Sequence, residues 1–484
     1  MVVWLFQAGD KAMTQLREQE KKMRKIRRFV TGLLAAAVAA SLVLTGCGGG
    51  KNGPDGSGGQ EQDGGQELGG KKGGKVVITF AGWGSLAEKQ NFTKMIDQFE
   101  KTHPGVKVNY QHYPGTERDY MVKLVSNVAA NKMPDVFYLP TNEFVEWASA
   151  GRLLDMTDYL AKSELYYEKG RIWEKAVDMY YYNSETGAVG EDGGLYGLPK
   201  DLGPWAMVYN KTLFEQKGIP LPDPEEPMTL DEFVDVAKKL TSGSGVEKVY
   251  GTANYTLESA VWSNNADFLS EDKKTITVDT PEFAEALQWV ADLALVHGVA
   301  PTTSEAAASG WFERWCNGKV GMAWMGPWDQ PTFWESVTFE WDIMPTPVNA
   351  KTGKAISWLG SAALCVSSKS QEAQAAYELE EFLCMDEEAQ TINCESGQAV
   401  PNIIELAEND YLAMDKMPAN KRVFLDILKN PEKGQFKPTY YTKNSSWYDY
   451  FITEANKVYS GEMSAADFCK EIQPKLQERL KGNE

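Results

Sequence analysis

The chain has 484 residues, 43% of them hydrophobic, and 49 Lys and Arg against 68 Asp and Glu give a formal net charge of -19. That length allows two or more domains with sizeable cores. The acidic balance argues against nucleic acid, whose affinity comes largely from neutralised phosphates, and against charge-driven adhesion to anionic lipid.

The first 46 residues hold eight Lys/Arg and three Asp/Glu, so the remainder is more acidic still. Arg24-Lys25-Ile26-Arg27-Arg28 precedes a mostly apolar run from Phe29 to Leu44, 16 residues that are short for a membrane span. Leu44-Thr45-Gly46-Cys47 closes it. A basic segment, an apolar segment and small residues at a cut site predict a secretory signal over 1–46. Met23 sits just before the basic cluster, so 1–22 read as a wrongly extended reading frame. The Cys after the small residue resembles the bacterial lipoprotein signal. That resemblance implies a lipidated Cys47 and a location on the extracytoplasmic face of the membrane, in a Gram-positive-type bacterium.

From Gly48 to Gly74, 13 of 27 residues are Gly. Nothing there can build a core, so 47–74 are expected to be the lipidated Cys and a flexible tether with a coil span of about 30 Å. Six Cys occur without a CxxC pair, and the three His have no second ligand at metal spacing. No metal site and no cofactor are expected. With Cys47 consumed, five thiols remain, and buried apolar-like thiols are the expected state.

Val76–Phe80 is β-rich, and Phe92, Met95, Ile96 and Phe99 lie on one face of a helix over Ala87–Thr102. His103-Pro104-Gly105 stops it, and Val106, Val108 and Tyr110 alternate as a strand. Met121, Leu124, Val125 and Val128 mark a second helix, and Asp135–Leu139 read as a buried strand. This β-α-β-α-β order opens a parallel sheet, whose ligands sit beyond the strand carboxyl ends. Those ends hold Ala81-Gly82-Trp83-Gly84 and Pro140-Thr141-Asn142-Glu143. The pattern shifts near residue 195. Thr229-x-x-Glu232 is a capping box that starts a helix with Phe233, Val236, Ala237 and Leu240 inward. Tyr250–Ala253 reads as a strand, and Thr280-Pro281 opens a long helix closed by Gly298. Val320–Met325 and Gly360–Val366 read as strands, with helices at Gln371–Met385, Trp447–Val458 and Ser464–Leu480.

These residues resemble a known family. The chain is similar over about Val76 to Leu480 to the extracellular solute-binding proteins of ABC importers, family 1, the group that includes maltose-binding protein. The markers are the lipoprotein cysteine, Pro134-Asp135-Val136, Tyr196-Gly197-Leu198-Pro199, Tyr209-Asn210-Lys211, Phe312 with Gly318-Lys319-Val320-Gly321-Met322 and Gly326-Pro327-Trp328, and Ser396-Gly397 with Val400-Pro401. The resemblance implies an α/β fold of two lobes with a hinge and an inter-lobe ligand cleft. Crossings are expected near Leu198–Trp205, Trp358–Leu364 and Gly397–Asn402. Lobe one is then 75–198 plus 365–397, and lobe two is 205–357 plus 402–484.

Sugars offer C–H faces that stack on aromatic rings and hydroxyls that bond planar polar groups. Such groups stand at the expected inter-lobe edges: Trp83, Asn142, Glu143, Lys200, Asp201, Trp205, Trp262, Asn264, Asn265, Trp328, Asp329, Trp358 and Trp447. By resemblance, Trp328 and Trp447 match positions where sugar-binding relatives stack a ring on the ligand. The implied function is binding of a carbohydrate, an oligosaccharide in particular, and its delivery to ABC permease subunits. The protein is expected to be a monomer that touches the membrane through its lipid anchor only and binds no nucleic acid. The alternatives are a binding protein for another polar solute and a lipid-anchored glycosidase, since aromatic clefts with carboxylates suit that chemistry too. No G-x-S-x-G elbow or HExxH motif is present, so no catalysis is expected.

Overall fold

The computed structural model describes residues 75–165, 170–190, 193–429, 435–437 and 442–482. The expected signal segment, Cys47 and the Gly-rich tether lie outside them.

β1 (Val76–Gly84), α1 (Leu86–Thr102), β2 (Val106–Pro114), α2 (Glu117–Ala129) and β3 (Val136–Pro140) follow in the expected order. Ser85 caps α1, its hydroxyl accepting from Glu88 N–H at 3.2 Å. Of the apolar residues of α2, Leu124 is buried and Met121 and Val128 pack against the core, while Val125 is 52% exposed and Tyr120 is the other buried residue. Tyr120 takes the inward position because its hydroxyl donates to the Tyr138 carbonyl at 2.8 Å, which satisfies the polar end of a buried ring.

The chain then runs through two short strands, β4 (Leu198–Pro199) and β5 (Gly203–Pro204), into β6 (Ala206–Asn210). Both halves of the Thr229–Glu232 capping box are formed at the start of α3 (Leu230–Leu240). Next come β7 (Tyr250–Ala253), α4 (Leu257–Ser263), α5 (Pro281–Leu295), β8 (Val320–Met325) and β9 (Trp341–Met344). The strand expected over Gly360–Val366 is broken at Ser361 into β10 (Ile356–Gly360) and β11 (Ala362–Val366). After α6 (Ala373–Met385), two helices not read from the sequence follow, α7 (Glu387–Ser396) and α8 (Arg422–Lys429). β12 (Gln435–Lys437), α9 (Ser446–Glu454) and α10 (Ala465–Lys481) complete the described chain.

The strands form two main sheets. One has the order β2-β1-β3-β11-β4, parallel through β2, β1 and β3 and antiparallel at β11. The other has the order β9-β6-β8-β7. A third, β12-β10-β5, lies where the chain passes between them, with Gly360 paired to Gly203 and Leu359 to Pro204. The passages are tied to one another. Trp205 N–H donates to the Trp358 carbonyl at 3.0 Å, Leu202 bridges Val400, and the Asn402 amide donates to the Pro199 carbonyl at 2.7 Å. Two apolar clusters form the core, one on α1, β1, β3, α6 and α8 that reaches into β6, β8 and β9, the other on α3, α4, α5, α9 and α10. Among the described cysteines none is bonded to another; four are buried and Cys316 is half-buried.

Candidate functional site

The largest of the described clefts, about 710 Å³, opens where the three passages meet the carboxyl end of β1. Trp83, Glu88 and Glu117 line it together with Lys200, Asp201, Trp205, Phe312, Trp328, Asp329, Thr332, Trp358 and Gln398. This is the strand-end location that an open parallel sheet prescribes.

Four tryptophans meet there, Trp83, Trp205, Trp328 and Trp358, and each is only partly buried. Trp147, Trp315, Trp324, Trp341 and Trp447, by contrast, are under 2% exposed. Trp205 stands edge-on to Trp358 with ring centroids 5.0 Å apart and to Trp328 at 6.0 Å. Trp83 is braced by Tyr120 and Tyr138 at 5.0 and 5.2 Å. Half-exposed indoles held by neighbouring rings form rigid apolar platforms. Two fully buried polar atoms of lining residues, the Trp205 Nε1 donor and the Gln398 Oε1 acceptor, have no hydrogen-bond partner among the described residues. Buried polar atoms are nearly always paired, so the two are exceptions within the cleft lining.

The lining carries a buried charge triad. Lys200 Nζ lies 2.8 Å from Glu88 Oε1 and 2.5 Å from Asp201 Oδ2, with all three side chains under 10% exposed. Burial works against the ammonium, but Asp201 and Glu88 outweigh it and hold Lys200 above its ordinary value. Burial pushes the Glu88 carboxyl up against the pull of Lys200. Asp329 is raised by burial to about 7, opposed by the Gly326 N–H at 3.2 Å. Glu117 remains open to solvent within the cleft, yet protein hems it in and desolvation lifts it to about 7.

Of the residues expected at the site, Trp83, Asp201, Trp205, Trp328, Asp329 and Trp358 line this cleft, with Lys200 beside them. Asn142 and Glu143 do not line it. They are half-buried just past β3, where burial, then Glu146, Asp449 and Glu117, raise Glu143 to about 7. Trp447, Trp262, Asn264 and Asn265, also expected there, lie away from this cleft. Trp447 is fully buried in the second core, with its Nε1–H on the Thr442 hydroxyl at 3.1 Å. Trp262 is 2% exposed in the same core and donates to Asp267 at 3.1 Å. Asn264 donates to the Glu282 carbonyl at 2.7 Å and to Glu285 at 3.1 Å, tying α4 to α5 in a separate crevice, and the neighbouring Asn265 takes a left-handed turn. Glu88 was missed, although the sequence carried a signal for it. It falls on the same helical face as Phe92, Met95 and Phe99, and an acid on an apolar face needs a partner. Gln398, Phe312 and Thr332 had no such signal.

Among the described residues, no group of three or more His, Cys, Asp or Glu is placed to hold a metal ion, and no helix is long and apolar enough to cross a membrane.

A family model described as bacterial extracellular solute-binding protein matches residues 83–390. An arabinooligosaccharide-binding protein of Halalkalibacterium halodurans is 26% identical over 206 residues, 41% of this chain and 45% of that protein. Its namesake in Bacillus subtilis is 23% identical over 330 residues, 66% of this chain and 71% of that protein. The chain spans about half the length of several of the curated relatives it matches. An ABC substrate-binding protein of Listeria monocytogenes in complex with cycloalternan superposes with a TM-score of 0.73 at 23% identity, covering 83% of this chain and 97% of that one. A maltose-bound Thermotoga maritima protein gives 0.66 at 21%, covering 83% and 99%. At these identities the likeness to solved structures is one of fold, and the fold is the two-lobe, maltose-binding-protein-like one.

Proposed function

Because the chain belongs to the bacterial extracellular solute-binding protein family, we propose that it captures a carbohydrate between its two lobes and delivers it to the permease of an ABC importer. The observation that carries this reading is the gathering of four partly exposed tryptophans, with Asp201, Asp329 and Gln398 beside them, in one cleft at the lobe passages. Indole faces take sugar C–H surfaces, and the amide, indole N–H and carboxylates take hydroxyls. The proposed contacts are Trp83, Glu88, Asp201, Trp205, Trp328, Asp329, Trp358 and Gln398.

The size of the cleft suits an oligosaccharide, and two of the similar proteins carry arabinooligosaccharide in their names. The lobes are proposed as 75–198 plus 365–397 and 205–357 plus 402–484, closing by hinge bending. The protein is read as a monomeric lipoprotein, lipidated at Cys47 and standing off the outer face of a Gram-positive-type membrane on its tether. It performs no chemistry of its own. A thermal-shift screen against arabino- and malto-oligosaccharides tests the reading. A sugar at about 100 times its dissociation constant adds about 2.7 kcal/mol of stability. Failure of every saccharide to shift the melt, or turnover of a bound sugar abolished by changing one cleft carboxylate, would overturn it.

A further inference from the structure

Resting on that carbohydrate reading, we infer that the cleft selects uncharged sugars and excludes those bearing a carboxylate or phosphate, because the one cation among its described lining residues is already held between two of the protein's own carboxylates and the long helices that open on it begin with acid.

Among the described residues lining the cleft, Lys200 is the one Lys, Arg or His. It stands between Glu88 and Asp201, at 2.8 and 2.5 Å, and its ammonium lies 5.0 Å over the Tyr138 ring. An ammonium has three donors and one charge. Two donors and more than the whole charge are matched before a ligand arrives, and the side chain is 8% exposed.

Helix N-termini are the other usual anion sites, since they present unpaired N–H groups and the positive end of the dipole. Two long helices begin at this cleft, and both begin with acid. In α1 the Ser85 hydroxyl accepts from Glu88 N–H, and the Glu88 carboxylate occupies the first turn. In α2 the Thr116 hydroxyl accepts from Asp119 N–H at 3.2 Å, with Glu117 and Asp119 in the first turn. At the turn after β8, the Gly326 N–H donates to Asp329. Apart from its acids, the rest of the lining offers a ligand neutral groups, the indole faces, the Gln398 amide and the Thr332 hydroxyl. An anion entering the cleft would lose its hydration with no cation to replace it, and would face Glu117 and Asp329.

The test uses arabinotriose and maltotriose, each alongside the derivative with one terminal uronate and the methyl ester of that uronate. The ester keeps the added size and removes the charge. Calorimetric titration of the protein at pH 7.5 is expected to give a uronate at least about tenfold weaker than its parent, with the ester near the parent. Glu117→Gln, at an exposed position, is expected to narrow the gap several-fold. A uronate that binds within threefold of its parent, or binds where neither neutral sugar does, overturns the inference and leaves the carbohydrate reading standing. So does an ester as weak as the acid, which would make size the cause. Failure of all six compounds together with failure of the wider saccharide screen removes the reading itself, and the inference with it.

Discussion

The indole of Trp328 fills the space a side chain at Gly203 would need, so that a Cβ built there would stand 2.1 Å from the ring. The same ring lies within 2.6 Å of a Cβ at Gly360 and 2.3 Å of one at Gly326. Gly203 and Gly360 are partners in the antiparallel β5–β10 pair that carries the chain between the sheets. The ligand platform and the passage strands are thus in direct contact, and three glycines make that contact possible.

Gly326→Ala should therefore act on ligand binding through Trp328, because the three atoms nearest the added Cβ all belong to that ring, whereas a Cβ at Gly203 would also stand 2.5 Å from the Gly360 carbonyl. The new methyl displaces the ring, and sugar affinity is expected to fall by about 5- to 30-fold, the same as for Trp328→Ala. The double variant should bind no worse than Trp328→Ala alone, since the ring is already gone. Additive losses in a calorimetric double-mutant cycle would mean that Gly326 acts by another route.

Trp328→Ala and Trp447→Ala should separate cleanly. Trp328 is partly exposed in the cleft, and its removal is expected to lower sugar affinity by about 1–2 kcal/mol while the ligand-free protein stays folded. Trp447 is fully buried among Phe451 and its neighbours, so its removal should cost about 3–5 kcal/mol of stability. Urea unfolding and titration on both variants check this. Equal stability losses in the two would refute the assignment of Trp328 to the cleft.

How far the cleft can be read without coordinates differs by residue, and the difference is physical. Trp83, Trp205 and Trp328 stand beside Gly or Pro at strand ends, and strand ends of an α/β sheet point to its ligand crevice, while Trp358 lies in mid-strand and was legible only through the expected crossing. Trp262 and Trp447 lie on helices, where a rotation of about half a turn decides between core and cleft. Tertiary packing sets that rotation, which is also why α2 turned Tyr120 inward and left Val125 outside. Asn264 serves Glu282, Glu285 and Asn349, partners that are 18, 21 and 85 residues distant. The break at Ser361 is similar: its hydroxyl donates to the Asp201 carbonyl and its own carbonyl accepts from Thr141, contacts that no local pattern encodes.

The Lys200 triad makes a stability prediction. Lys200→Met leaves Glu88 and Asp201 buried without their counter-charge, and breaking such a pair costs about 3–5 kcal/mol. Adding Glu88→Gln should restore part of that loss, because one of the stranded carboxylates is then neutral. Urea midpoints for the single and double variants measure both steps. A double variant less stable than Lys200→Met would show that Glu88 holds the fold by something other than its charge.

Asp329 gives the pH dependence. Burial raises its folded-state pKa from 3.8 to about 7. In the unfolded chain the carboxyl loses its proton near pH 4, while in the folded protein it keeps it until near pH 7. Between those values the folded state binds more protons, so its stability falls as pH rises. The contribution is fully present below about pH 4 and fully lost above about pH 7. A shift of about three units corresponds to about 4 kcal/mol as an upper figure for this near-buried group. Asp329→Asn removes the ionisation and keeps an oxygen for the Gly326 N–H. Glu117 and Glu143, also raised to about 7, stay in both proteins and cancel in the difference. The variant should therefore gain on its parent steadily from pH 4 to pH 7 and hold that gain at pH 8. Urea melts of the two ligand-free proteins at half-unit pH intervals measure it. Parallel curves across that range would mean that Asp329 titrates as an ordinary solvated carboxylate, and its place as a buried acid in the cleft wall would be wrong.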